Sequence, residues 1–287
     1  MRREGTRPAS RQREAPARRE ISRRGSAAQR RGRSRDIEGV FDLSDRVAVV
    51  TGGSRGLGRE MVLGLAGAGA DVVIASRKLQ ACEALAAEVR AATGRRALGV
   101  ACHVGRWDDV GALAETAYAE FGRVDVLVNN AGMSPVYPDV GAITEALWDK
   151  VLDVNLKGPF RLTAIVGARM RRDGGGSIIN VSSVAASHPR PDVVPYAAAK
   201  AGVNAITEAF AHAFGPAVRV NCIVPGAFLT DISEAWDMDA FERRSEGFAL
   251  RRGGQPHEIV GTVLYLASDA SSYTTGALLP VDGGYRG

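Results

Sequence analysis

From residue 46 onward, short runs of consecutive apolar residues alternate with stretches whose apolar positions recur at helical spacing. "RVAVVTG" (46–52) is β-rich and ends in glycine, and "GLGREMVLGLAGAG" (56–69) follows with helical periodicity. "DVVIAS" (71–76) predicts a second buried strand, and "KLQACEALAAEVRAATG" (78–94) a helix stopped by glycine. "ALGVACHV" (97–104), "DDVGALAETAYAEFG" (108–122) and "VDVLVNNAG" (124–132) continue the alternation; "GSIINVSS" (176–183), "AVRVNCIVPG" (217–226) and "GALLPVDGG" (276–284) complete it. Strands that are apolar at successive positions bury both faces, and the intervening helices supply the cover. The pattern therefore predicts an α/β, doubly wound fold with a parallel sheet flanked by helices on both faces. No internal repeat or linker-like break follows residue 45, so residues 41–287 are expected to form one domain.

Residues 1–40 do not share this pattern. The first 36 residues hold thirteen arginines, four acids and almost no large apolar side chains. Such a segment buries too little surface to offset its conformational entropy, which predicts a disordered extension. Its excess of +9 within a chain of net charge +5 leaves the remainder at −4, so the basic character belongs to the extension. A nucleic-acid-binding arm, an organellar transit peptide and an over-extended gene start all share this composition. The body itself uses Arg far more than Lys, which occurs only at Lys78, Lys150, Lys157 and Lys200. That bias favours the gene-start reading over nucleic-acid binding.

No stretch reaches the run of about eighteen apolar residues that a membrane span needs. Cys82, Cys102 and Cys222 are odd in number and scattered, which suits reduced thiols and a cytoplasmic location better than a disulfide framework.

The turn "TGGSRGLG" (51–58) joins the first strand to the first helix, at the sheet edge where ligands bind in such folds. Gly52 permits a sharp turn, Gly56 lets backbone approach a pyrophosphate, and Gly58 allows close helix packing; Ser54, Arg55 and Leu57 complete the expected phosphate cradle. At the end of the second strand, an acid would hold a free ribose 2′-hydroxyl. Here the residues are Ser76 and Arg77, a hydroxyl and a guanidinium suited to a phosphate dianion, and Arg55 is placed to reach the same group. NADP is therefore expected over NAD.

The ordered set "TGGSRGLG", "NNAG" (129–132), "VNLKG" (154–158), "INVSS" (179–183), "YAAAK" (196–200), "VPGAFLTD" (224–231) and "PVDGG" (280–284) resembles the short-chain dehydrogenases/reductases, which are single Rossmann domains. The likeness covers nearly everything from residue 40 and is nearest to 3-oxoacyl-acyl-carrier-protein reductases and related sugar or alcohol dehydrogenases. It implies Tyr196 as general acid/base, Ser183 as the residue orienting a substrate carbonyl, and Lys200 as electrostatic and ribose partner. Asn155 would hold a water linking Lys200 to solvent. Chemistry agrees: a free phenol has a pKa of about 10, and a nearby ammonium favours its ionised form. Residues four apart share one helical face, so Lys200 belongs beside Tyr196.

The resemblance also assigns Asn129, Ala131 and Gly132 to the adenosine side and the central strand, and Pro225, Gly226 and Thr230 to the nicotinamide carboxamide. His103 and Val104 stand where the family usually has Asp-Val beside the adenine; His103 can accept from an adenine amino group only as the appropriate neutral tautomer. His188, His212 and His257 lack metal-ligand spacing, and no metal is expected. The connection 227–252 is expected to form a lid over the substrate, opposite "ASHPRPDVV" (186–194), with Trp236, Met238, Phe241 and Phe248 either lining an apolar pocket or packing the lid on the body. A homotetramer built through helices around 144–172 and 194–214 is implied by resemblance alone. Three readings follow: an NADPH-dependent oxidoreductase acting on a small-molecule ketone or secondary alcohol, an NADP-binding regulator or sensor with idle chemistry, and a protein tethered to nucleic acid by its extension.

Overall fold

Seven parallel strands form one sheet in the order β3-β2-β1-β4-β5-β6-β7. The computed structural model describes residues 39–231, 233 and 237–285, so the arginine-rich extension lies outside the described residues. The strands are β1 (Val47–Thr51), β2 (Asp71–Ser76), β3 (Ala97–Ala101), β4 (Val126–Asn129), β5 (Gly176–Val181), β6 (Val218–Pro225) and β7 (Leu278–Val281). Between them run α1 (Gly56–Gly67), α2 (Leu79–Thr93), α3 (Trp107–Phe121), α4 (Glu145–Leu152), α5 (Gly158–Asp173), α6 (Val194–Phe214), α7 (Met238–Ser245) and α8 (Val260–Ala267).

Successive strand residues point to opposite faces, and both faces are buried. Val50, Ile74, Val128 and Ile179 pack with Met61 and Leu65 of α1, Leu85 and Val89 of α2, and Val263 and Leu266 of α8. Their neighbours Val49, Val73, Leu127 and Ile178 pack instead with Leu113 of α3, Leu162, Val166 and Met170 of α5, and Phe214 of α6. This is the predicted doubly wound, Rossmann-type sheet. The strand order reverses at β1, which has β2 on one side and β4 on the other. Parallel strands align their carboxyl ends, so the exits of β1, β4, β5 and β6 open on one edge.

One polar chain crosses the α5/α6 side of this apolar sandwich. Asn129 and Asn180 are register partners on β4 and β5. Asn129 Nδ2 donates to Asn180 Oδ1 at 2.8 Å and to Thr163 Oγ1 of α5 at 2.9 Å. Asn180 Nδ2 donates to Thr207 Oγ1 of α6 at 2.8 Å, and that hydroxyl donates on to Val203 O. All four side chains are buried. Replacing Asn180 with Ala removes two of these bonds and strands the partners. Chemical denaturation is expected to show a loss of about 1–3 kcal/mol, with the sheet and helix content retained.

Candidate active site

The glycine turn after β1 is built against the exit of β4. Gly52 has φ +64°, and a side chain there would lie 2.8 Å from Ala131 Cα. At Gly58 a β-carbon would sit 2.2 Å from Gly52 O and 2.5 Å from Asn130 Nδ2, so helix α1 reaches this turn only with glycine. Thr51 and Asn130, not singled out from sequence, close the junction: Asn130 Nδ2 donates to Thr51 O and Gly52 O at 3.0 and 3.2 Å, and Thr51 Oγ1 accepts from Asn130 N and Ala131 N. Helix α1 opens with no side-chain cap and no acid in its first turn. Its first N–H groups therefore favour an anion. Gly56, φ +53°, lies in this turn, and Leu57 packs half-buried on the α1 side of the core.

At the end of β2, Ser54 Oγ donates to Ser76 Oγ at 2.9 Å, and Ser76 Oγ is 3.0 Å from Cys82 Sγ. Arg77 is exposed and has no hydrogen-bond or ionic partner among the described residues. Arg55 is not free. Its Nη1 donates to Asp231 Oδ2 at 2.9 Å, tying the glycine turn to the segment after β6. With both side chains substantially exposed, such a pair is worth only about 0–1 kcal/mol and is open to exchange with another anion. Thr230 flanks the same turn, its Cβ 3.7 Å from where a Gly56 side chain would begin. Pro225 ends β6, and Gly226 N donates to Val281 O at 3.0 Å.

His103 faces a restriction of its own. Its Nδ1 accepts from Gly105 N at 3.2 Å, so the neutral imidazole carries its proton on Nε2. The outward nitrogen is then a donor, not the acceptor that an adenine amino group requires. Val104 O lies against Gly158, where a β-carbon would approach to 2.2 Å. Asn129 holds its amide inside the polar chain described above; its Oδ1 is buried without a partner among the described residues.

At the exits of β4 and β5 the structure brings Ser183, Tyr196, Lys200 and Asn155 together. Ser183 Oγ accepts from Ala185 N at 3.1 Å, which leaves its own hydrogen free for the neighbouring Tyr196 phenol. Burial raises the Tyr196 pKa, and the Ser183 hydrogen bond opposes that rise. Lys200 is 3% exposed; its Nζ donates to Val181 O at 2.8 Å and lies 5.5 Å from the Tyr196 ring centre. Burial brings this ammonium from its ordinary 10.5 down to about 8, while a neighbouring Cys222 acts weakly in the other direction. Ser182, alternate to Ser183, faces away and donates to Lys200 O at 3.1 Å.

Asn155 lies in a wide π-type turn, Asp153–Lys157, between α4 and α5. Three of the four hydrogen-bonding positions of its amide are used: Nδ2 donates to Met133 O and Val151 O at 2.8 and 2.9 Å, and Oδ1 accepts from Met133 N at 3.1 Å. It therefore fastens the loop leaving β4 to the helix. Gly132 fills the gap between the two groups, for a β-carbon there would meet Asn155 Oδ1 at 2.9 Å and Lys200 Nζ at 3.6 Å.

In the connection after β6, two of the large apolar residues take the packing alternative. Phe241 and Phe248 are buried against one another, with ring centres 6.5 Å apart, and Phe241 presses on Gly253. They pack the connection onto the body; Met238 is 41% exposed, and Trp236 lies outside the described residues. Among the described residues no group of acids, histidines and cysteines has metal-binding geometry, and no helix is long and apolar enough to cross a membrane.

Comparison with known proteins agrees with this geometry. A family model described as enoyl-(acyl carrier protein) reductase matches residues 9–286. Dehydrogenase/reductase SDR family member 4 of Homo sapiens is 38% identical over 245 residues, spanning 84% of this chain and 88% of its own length. An NADPH-dependent 3-quinuclidinone reductase from Rhodotorula rubra superposes with a TM-score of 0.82 at 30% identity, covering 88% of this chain and 95% of its own. A 7α-hydroxysteroid dehydrogenase complexed with NADH and 7-oxo glycochenodeoxycholic acid gives 0.82 at 31%, covering 86% and 96%. The chain belongs to the short-chain dehydrogenase/reductase family, and it is an oxidoreductase of that family, whose members bind nicotinamide cofactors.

The buried Lys200 makes a measurable demand on stability. Between its folded value of about 8 and the ordinary 10.5, the unfolded chain binds a proton that the folded chain does not. Stability from this group therefore rises with pH across that window. In cofactor-free protein, unfolding free energies at pH 7.5 and 9.5 are expected to show wild type gaining on Lys200→Met as pH rises.

Proposed function

We propose that this protein is an NADP-dependent dehydrogenase/reductase that interconverts a ketone and a secondary alcohol, with Tyr196 as the acid/base. The observation that carries this reading is the buried Lys200 ammonium, anchored on Val181 O and 5.5 Å from the Tyr196 ring centre, with the Ser183 hydroxyl beside the same phenol. The cleft has the parts that a nicotinamide dinucleotide needs: an uncapped helix start at a glycine turn, a hydroxyl pair at the end of β2, and a cation beside the phenol. When bound, the reduced cofactor supplies hydride to the carbonyl carbon.

The chain's residues then handle the developing charge on oxygen. Ser183 turns its hydrogen from the phenol to the substrate oxygen and orients it. Tyr196 delivers its proton to that oxygen. Without cofactor the phenol is held above its ordinary value by burial, so proton loss relies on Lys200 and on the positive charge of the oxidised nicotinamide. Lys200 keeps Val181 O as its fixed anchor while its remaining hydrogens serve the ribose. Asn155 acts on this reading by holding Met133 and the loop beside Lys200, and with both amide hydrogens committed it would meet a relay water as an acceptor.

NADP preference rests on Ser76, Arg77 and the missing acid at the end of β2. Arg77 is unengaged and reaches a 2′-phosphate directly, whereas Arg55 would exchange Asp231 for it. Ser54, Gly52, Gly56, Leu57 and Gly58 line the pyrophosphate, and His103 would donate to an adenine ring nitrogen instead of accepting from the amino group. Val104, Ala131 and Gly132 would pass along the adenosine and ribose; Pro225, Gly226 and Thr230 would face the carboxamide. An apolar groove on α4, α5 and α6, lined by Leu152, Leu156, Phe160 and Ile206, supports the family's homotetramer. One domain over 41–287 and a cytoplasmic location belong to the same proposal.

Purified protein is expected to bind NADPH and to oxidise it on a ketone panel. Tyr196→Phe should abolish turnover, by at least about 100-fold, with NADPH affinity nearly unchanged. Turnover on enoyl thioesters but on no ketone would overturn the carbonyl reading, and binding without any turnover would favour a regulator. Arg77→Ala should weaken NADPH by about 10-fold or more while leaving NADH nearly unaffected in a fluorescence titration. Equal losses for both cofactors would overturn the assignment of the β2 end.

A further inference from the structure

Tyr137 lies five residues beyond Gly132, in the loop that leaves β4. No sequence motif points to it. Its phenolic oxygen accepts from Val194 N at 2.7 Å and donates to Pro191 O at 2.7 Å. Both partners precede Tyr196 by only a few residues.

These two bonds meet a need at the start of α6. A helix leaves its first N–H groups without partners inside the helix. Val193, the residue before α6, offers no side-chain cap, and Pro195 has no N–H to give. Val194 is the first residue of the helix, and the cap that it finds comes from a side chain 57 positions earlier in the chain. Pro191 begins the short 3₁₀ turn Pro191–Val193 that leads into α6, and its carbonyl receives the phenol's hydrogen. One hydroxyl thus spends its donor and an acceptor position on joining the turn to the helix.

Tyr196 is the third residue of α6, so the placing of this first turn places its ring. The two phenols line one narrow crevice with Ser134, Pro135, Val193 and Pro195. At the other end of the same loop, Asn155 grips Met133 through both its N–H and its carbonyl. The loop is therefore held at Met133 against α5's approach and at Tyr137 against α6. It forms a strut between the two helices that carry Asn155 and Tyr196.

We propose that Tyr137 is a positioning residue: its hydroxyl sets the start of α6 and thereby the place of the Tyr196 phenol against Ser183. The proposal rests on the reading of Tyr196 as acid/base. Tyr137 does not touch the reacting atoms, because its hydroxyl is committed to the backbone on both sides.

Tyr137→Phe keeps the ring and removes only the strut, so it is the variant to measure. A displacement on the order of 1 Å is enough to slow a reaction by about 10- to 100-fold. The expected result is a kcat lowered by about that factor, with KM and NADPH Kd within about 2-fold of wild type. In the alcohol-oxidising direction the reaction needs the ionised phenol, and the hydrogen bond from Ser183 favours ionisation. Loss of alignment should therefore move the rising limb of the pH–rate profile to higher pH, an effect that general loosening of the fold does not produce. An unchanged kcat and limb would overturn the proposal. So would a fall in kcat accompanied by equal losses in cofactor affinity and thermal midpoint with the limb in place, since that marks a structural role only. Tyr196→Phe measured alongside separates the two levels: if it retains turnover, the acid/base reading has failed, and if it is inactive while Tyr137→Phe matches wild type, only the strut has failed.

Discussion

The pairing of Asn129 with Asn180 across β4 and β5 is the constraint from which the site's geometry follows. Both amides are buried in a sandwich that is mostly apolar, and their partners are one threonine on α5 and one on α6. A slip of one residue between the strands would turn an amide to the opposite face and leave buried polar groups unpaired. The apolar contacts tolerate small shifts, but this chain does not. Thr207 lies seven residues after Lys200 on α6, so that threonine shares a helix face with the lysine it helps to aim, and Thr163 holds α5 just beyond the turn that carries Asn155. Register of the sheet and rotation of two helices are thus set by a single set of bonds.

That rigidity is needed because Lys200 is placed at a cost. Its ammonium is almost fully buried, and among the described residues one carbonyl receives it. The lowered proton affinity is the mark of that cost. Ser182 holds the backbone of Lys200 to β5, Gly132 clears the space before its Nζ, and Asn155 fixes the neighbouring loop. These contacts hold a charge where water would otherwise have solvated it, which is the condition under which it acts strongly on a nearby phenol.

At the cofactor end the arrangement is looser, and physically it can be. Arg55 pairs with Asp231 across exposed surface, a contact weak enough to be exchanged. Arg77 projects without a partner among the described residues, and Ser76 is held by Ser54. Under the proposed NADP preference, phosphate would gather groups that are now separate, whereas the groups around the phenol are already assembled.

The alternation of apolar runs and amphipathic stretches determined the doubly wound sheet, because strands buried on both faces and helices buried on one have different periods that are local in sequence. Motif order pointed to the family, and that resemblance named Ser183, Tyr196 and Lys200; the spacing of four, local to one helix, put Lys200 beside Tyr196. What only the tertiary structure decided are contacts between residues distant in the chain. Tyr137 capping α6, Thr51 and Asn130 closing the glycine turn, and Asp231 taking Arg55 leave no local pattern. The sequence left open the tautomer of His103 and whether Phe241 and Phe248 line a pocket or pack the connection, for both depend on the backbone and neighbours that folding supplies. Periodicity and spacing determine which elements form and which side chains share a face; the partners those side chains meet are decided only when sheet and helices close on one another.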